Sequence, residues 1–239
     1  MPAKGFVYFN IRQKFSPCQG GPFGASFCLM NLQQPSTRLS ASIWFPVLLM
    51  LAALILRILS HKEVLPQTLG NFSPLVAFAF AGSALFPRKL PWWSWAILLL
   101  AMDWIVFGTF MWEHAHGRAE VLLMYVCYAG AAWAGSLLRG KAGMVDVLAG
   151  TLACSVLFYV LTNTLSWWVN PGYAKSGAGW VQAMTTGLPG FPSTLMFFRN
   201  SLMADMLGAL VLVLAYNAEA VVRNLQRLPL LGTAQRKAA

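Results

Sequence analysis

The sequence predicts an all-α polytopic membrane protein built as six transmembrane helices. Three observations lead there. The 239 residues are 58% hydrophobic and only 10% charged, against about 25% charged in soluble domains. Apolar runs recur at lengths near the roughly 20 residues that cross a hydrocarbon core of about 30 Å. The cationic side chains also sort by side. With the N-terminus in the cytoplasm, twelve fall on cytoplasmic segments: Lys4, Arg12, Lys14, Arg38, Arg88, Lys89, Arg139, Lys141, Arg223, Arg227, Arg236 and Lys237. Five fall on the outer half: Arg57, Lys62, Arg118, Lys175 and Arg199. This is the positive-inside pattern. It accounts for the net charge of +10 by topology, and nucleic acid is not an expected partner.

The spans are predicted at about 43–60, 73–87, 92–112, 120–138, 146–168 and 196–222, the second short enough to be little tilted or partly irregular. They divide the chain into a poorly ordered tail (1–41), a six-helix domain (42–223) and a basic cytoplasmic tail (224–239). The first 41 residues carry Gly, Ser, Pro and Gln without sustained periodicity. They are too long and polar for the leading region of a signal peptide, and Met30 is an alternative start.

Span 1 tolerates Pro46 in its first turn and ends at Arg57 and the loop from His61 to Gly70. Span 2 opens on Asn71-Phe72-Ser73-Pro74. There Asn71 or Ser73 suits a cap and Pro74 the first helical position. Its alanines, with Gly82 and Ser83, allow close helix approach. Span 3 is anchored by Trp92, Trp93 and Trp95. Span 4 carries Ala129-Gly130-Ala131-Ala132 and Ala134-Gly135-Ser136, again small-residue packing. Span 5 runs to Trp167-Trp168. In the outer loop after it, Ala178 to Thr186 fits a short interfacial helix. Span 6 enters at Phe197 and leaves through Asn217 to Arg223. Cys18, Cys28, Cys127 and Cys154 form no CxxC pair and read as structural thiols.

Polar side chains within these runs are the functional signal, because a charge at the bilayer centre costs roughly 2.5–3.5 kcal/mol on insertion scales. Arg57, Asn71, Asp103, Asn163, Arg199, Asn200 and Asp205 all count to the outer half. Asp103 lies nine residues before Trp112 and Asp205 eight after Phe197, so both sit roughly 12–13 Å deep at about 1.5 Å per residue. The inner halves contribute almost none. A pocket open to the outer face explains that asymmetry. The competing reading makes the aspartates partners of arginines in structural pairs, Asn163 and Asn200 interhelical hydrogen-bond glue, and Asn71 a cap. Arg199 and Asp205 are six residues apart, roughly 240° around a helix, and should not pair with each other.

A metal is the minority reading. Glu113, His114, His116 and Glu120, or His61 with Glu63, lie in or beside outer loops, at a spacing unlike H-E-x-x-H. No cofactor is expected. Neither a phosphate-binding Gly-rich motif nor a Ser/His/Asp arrangement is evident, so no enzyme is expected.

The segments Leu56-Arg57-Ile58-Leu59, Asn71-Phe72-Ser73-Pro74, Leu161-Thr162-Asn163 and Phe198-Arg199-Asn200…Asp205 resemble motifs of an uncharacterised bacterial family of six-helix integral membrane proteins. More distantly, the chain is similar to the S components of energy-coupling-factor transporters. That resemblance implies an S-component-like bundle in the bacterial inner membrane with both termini cytoplasmic. It also implies a vitamin or metal ion bound near the outer face, a lid at the loop 61–70, and an energising module with separate ATPase subunits. Span 1 carries only Ala52-Ala53, where S components often dock through Ala-x-x-x-Ala.

The expected function is a substrate-binding subunit for uptake of a small, vitamin-like, anionic or zwitterionic micronutrient. Its site would be a cavity of about 300 Å³ or more between spans 1, 3, 5 and 6. Arg57 and Arg199 would meet the ligand's negative charge, Asp103 and Asp205 would orient them or take an amine, and Asn163 and Asn200 would read its polar edge. The alternative is a non-catalytic accessory subunit of a larger membrane complex, with its charges paired internally and no cavity.

Overall fold

Backbone donors and acceptors have no water to turn to in a hydrocarbon core, so spanning segments close their hydrogen bonds within helices. The computed structural model describes residues 44–62, 71–85, 91–108, 115–222, 224 and 226–232. Among them there is no strand. Seven helices follow in order: α1 (Trp44–His61), α2 (Leu75–Leu85), α3 (Trp93–Phe107), α4 (Ala115–Leu137), α5 (Met144–Val169), α6 (Gly177–Met184) and α7 (Thr194–Val222). Three of these, over Arg118–Leu137 of α4, α5 and α7, are long and apolar enough to cross a membrane. The short helix expected at 178–186 is α6, running from Gly177 to Met184.

Helix α2 is the span expected to be shortest. Its described residues number 11, about 16 Å of rise, roughly half a hydrocarbon core. Every residue from Leu75 to Leu85 is buried, with a π-helical stretch over Phe78–Gly82. An apolar run therefore became the central axle of the bundle. The neighbouring helices reach it through small residues. A Cβ at Gly135 of α4 would collide with the Phe80 carbonyl, and one at Gly150 of α5 with the Phe80 ring. A Cβ at Gly208 of α7 would come within 2.7 Å of Pro74. The outward faces of α3, α5 and α7 expose apolar side chains such as Ile105, Leu157 and Leu214, as lipid contact requires.

Gly130, also on α4, has nothing within 4 Å of its would-be Cβ. The two glycines of one helix therefore predict opposite signs. Gly130→Ala should be neutral or stabilising by up to about 1 kcal/mol through helix propensity. Gly135→Ala should destabilise by about 1–3 kcal/mol through overpacking against backbone that cannot yield. Unfolding in mixed detergent–SDS micelles checks both.

The two ends of α2 are closed by charged side chains, one from α7 and one from the turn after α4. At its start, Pro74 occupies the cap position with no side-chain cap bond. Asp205 of α7 instead accepts from the Ala77 N–H through Oδ1 (3.1 Å) and from Ser155 through Oδ2 (2.8 Å). At its far end, Arg139 Nε donates to the Ser83 carbonyl (2.5 Å) and its Nη2 lies 3.4 Å from the Ser83 hydroxyl. A carboxylate at the positive helix end and a guanidinium at the negative end match the helix dipole. Asn71, expected as a cap, instead takes a left-handed conformation (φ 62°), which asparagine tolerates.

Of the segment predicted as a C-terminal tail, residues 226–232 hold to the bundle. The N–H groups of Met144 and Val145, unpaired at the start of α5, donate to the carbonyls of Pro229 (2.8 Å) and Leu230 (3.1 Å). The Leu228 N–H donates to Asn217 Oδ1 (2.8 Å). The expectations for the tail 1–41, the loop residues 63–70, the Arg88-Lys89 pair and Glu113-His114 lie outside the described residues.

Candidate functional site

A cavity of about 360 Å³ lies at the end of the bundle that carries α6. Helix periodicity builds its walls. On α5 the lining residues are Ser155, Phe158, Tyr159, Thr162, Asn163 and Ser166, one unbroken stripe at spacings of three and four. On α7 they are Thr194, Phe197, Phe198, Ser201 and Asp205, and on α4 Glu120, Val121, Met124 and Tyr128, both following the same rule. The residues before α2 (Asn71, Ser73) and its first turn (Leu75, Val76) complete the lining, together with Arg57 of α1. Helix α3 contributes none, so the cavity is not between spans 1, 3, 5 and 6 as expected.

Two aromatic pairs stand in the walls. Tyr128 and Phe158 stack with centroids 5.2 Å apart, and Tyr159 and Phe198 at 4.1 Å. The Tyr159 hydroxyl donates to the Met184 carbonyl, fastening α6 to α5. Trp180 Nε1 donates to Thr164 Oγ1 (3.1 Å) and adds a second tie.

Arg57, Asn71, Asn163 and Asp205 line the cavity. Asn163 donates to the Tyr159 carbonyl one turn back (2.8 Å). The other three sequence-predicted residues lie elsewhere. Asp103 is fully buried behind Arg57, with Arg57 Nη2 to Asp103 Oδ1 at 2.6 Å. Tyr125 donates to its other oxygen (3.0 Å). The Arg57 guanidinium also sits 5.1 Å over the Phe107 ring. Arg199 is exposed and reaches back to Asn200 Oδ1 (3.3–3.4 Å). Asn200 is buried outside the lining. The expectation that Asp205 orients an arginine gives way to its capping of α2.

Sequence reasoning did not single out Ser155, Tyr128, Phe158, Tyr159 or Glu120 as cavity residues. Tyr173, in the loop after α5, reports on Glu120. Burial first and the Glu120 charge second hold its phenol above the usual tyrosine range. Among the described residues, no group of three or more His, Cys, Asp or Glu could hold a metal ion. The side chains of His61, His114 and His116 lie outside that description.

A family of unknown function, DUF6580, matches residues 37–228. The chain belongs to this family. The match covers all seven helices and ends within the segment that returns to α5. No functionally curated protein and no solved structure matches the chain. The resemblance to an uncharacterised family is thus shown.

Proposed function

We propose that this DUF6580 member is an integral membrane substrate-binding subunit for uptake of a small, vitamin-like micronutrient. The observation that carries the reading is the cavity of about 360 Å³ with mixed aromatic and polar walls at one end of the bundle. Ligand sites are concave and partly apolar, typically about 300–1,000 Å³, with a few placed polar groups. On this reading α1 and α3 join α4, α5 and α7 in crossing a bacterial inner membrane, with α2 a half-span between them. Both termini are cytoplasmic and the cavity faces outward. Over the whole sequence, twelve Lys and Arg fall on the segments assigned to the cytoplasm against five on the outer half, which supports that orientation. The S-component likeness would add an energising module with separate ATPase subunits. The protein itself is no enzyme on this reading and takes no resident cofactor.

The test is thermal unfolding of the full-length protein in lipid nanodiscs across a panel of vitamins and their precursors. At least one compound should raise stability by about 2.7 kcal/mol when supplied at 100 times its Kd. Thr162→Trp, which fills the cavity from the α5 stripe, should abolish the shift while leaving the unliganded protein folded. A panel without a single shift overturns the reading. The accessory-subunit alternative is favoured by one observation: Asp103 and Asp205 both have partners within the bundle, an ion pair to Arg57 for the first and hydrogen bonds from Ala77 and Ser155 for the second.

A further inference from the structure

The charge of the cavity can be read from which of its ionic groups already has a partner. Among the described residues, Arg57 carries the only Lys or Arg charge in the lining, and it is matched at 2.6 Å by Asp103. Lys62, Arg118 and Arg199 are exposed and outside the lining. Lys175, also exposed, donates to the carbonyls of Trp167 (2.5 Å) and Asn170 (2.7 Å). Asp205 is answered by the Ala77 N–H and the positive start of α2. Glu120 remains. It lines the cavity and has no ion-pair partner among the described residues.

Two further features point to a ligand that answers that charge. The Ser73 residue is only 7% exposed and lines the cavity, and its hydroxyl has no hydrogen-bond partner among the described residues. A buried polar group of this kind costs about 1–3 kcal/mol unless something pairs with it. The stacked pairs Tyr128–Phe158 and Tyr159–Phe198 offer π-faces, which attract cations.

We infer that the cavity binds a small organic cation with a flat apolar body, of the amidinium or heteroaromatic-ammonium class. Glu120 meets its charge, Ser73 its hydrogen-bonding edge, and the aromatic pairs its ring. This replaces the anionic or zwitterionic ligand expected from Arg57 and Arg199. It rests on the proposed reading of the cavity as a ligand site.

Three isosteric probes separate the two. The full-length protein in nanodiscs is titrated calorimetrically with benzamidinium, neutral benzamide and anionic benzoate. Benzamidinium should bind tighter than benzamide by about tenfold, with benzoate weakest. Glu120→Gln should erase the gap between benzamidinium and benzamide, and Ser73→Ala should weaken both. The wild-type ranking is decisive even if a variant fails to fold. Benzoate binding as well as or better than benzamidinium, or benzamide equal to it, overturns the cationic assignment while the cavity stands as a site. Binding of none of the three overturns the assignment together with the ligand-site reading.

Discussion

Removing either partner of the Arg57–Asp103 pair should destabilise the protein by about 3–5 kcal/mol, and removing both should nearly restore it. The reasoning is electrostatic. The Asp103 side chain is 0% exposed and that of Arg57 13%, so each depends on the other for the solvation it lost. Arg57→Met leaves Asp103 with only the Tyr125 hydroxyl. Asp103→Leu leaves a guanidinium over the Phe107 ring and a phenol without its acceptor. The first should cost more. A short aspartate cannot reach the surface, whereas Arg57 sits four residues from the end of α1 and a long arginine can extend its charge towards water.

The double variant Arg57→Met/Asp103→Leu removes both charges, and buried pairs replaced by apolar residues of similar volume are commonly neutral or better. Adding Tyr125→Phe removes the remaining orphaned hydroxyl. The measurement is a double-mutant cycle on SDS-driven unfolding in mixed micelles. Additive single effects, with the double variant the least stable of all, would show that the pair is not the coupled unit its geometry describes. The same variant bears on the ligand. If Arg57 served to attract an anion, the double variant would lose affinity for benzoate. With the pair neutral as a unit, its preference for benzamidinium should persist.

The sequence carried the helical architecture well because apolar runs are long-range averages, insensitive to any one residue. The ends of α1, α5 and α7 fall within two residues of the runs predicted for them. The role of α2 was not legible for a physical reason: an apolar run reads the same whether lipid or protein surrounds it. The glycines that let neighbours touch α2 were legible only as small residues, not as an axle. For the site, depth was used where rotation was needed. Counting residues placed Arg199 and Asn200 at the right level, but the α7 stripe of Thr194, Phe197, Phe198, Ser201 and Asp205 passes them by about 100° per residue. The matching α5 stripe from Ser155 to Ser166 was equally open to a periodicity argument. Asp103 differs again: it lies outside the lining, and its carboxylate meets the cavity only through Arg57.

Replacing Asp205 should undo the cavity floor rather than merely weaken a ligand contact. An 11-residue helix is shorter than the roughly 12–15 residues at which isolated helices become even marginal, so α2 depends on its surroundings and its caps. Asp205→Ala deprives the buried Ala77 N–H and the Ser155 hydroxyl of their acceptor. Each orphaned buried donor costs about 1–3 kcal/mol. Together they should cost about 2–6 kcal/mol. Asp205→Asn keeps one acceptor oxygen and should fall between. Arg139→Ala strips the other end, where the guanidinium meets the Ser83 carbonyl. The capped groups, the Ala77 N–H and the Ser83 carbonyl, lie six residues and about 9 Å apart along the helix, so their losses should come close to adding. Ser73 and Leu75 lie beside the first turn of α2 and line the cavity, so Asp205→Ala should abolish benzamidinium binding while Asp205→Asn largely keeps it. That split separates a capping role from direct ligand contact: a carboxylate that held the cation itself would lose it in both variants. An Asp205→Ala protein as stable as the parent would mean that α2 is held by packing alone.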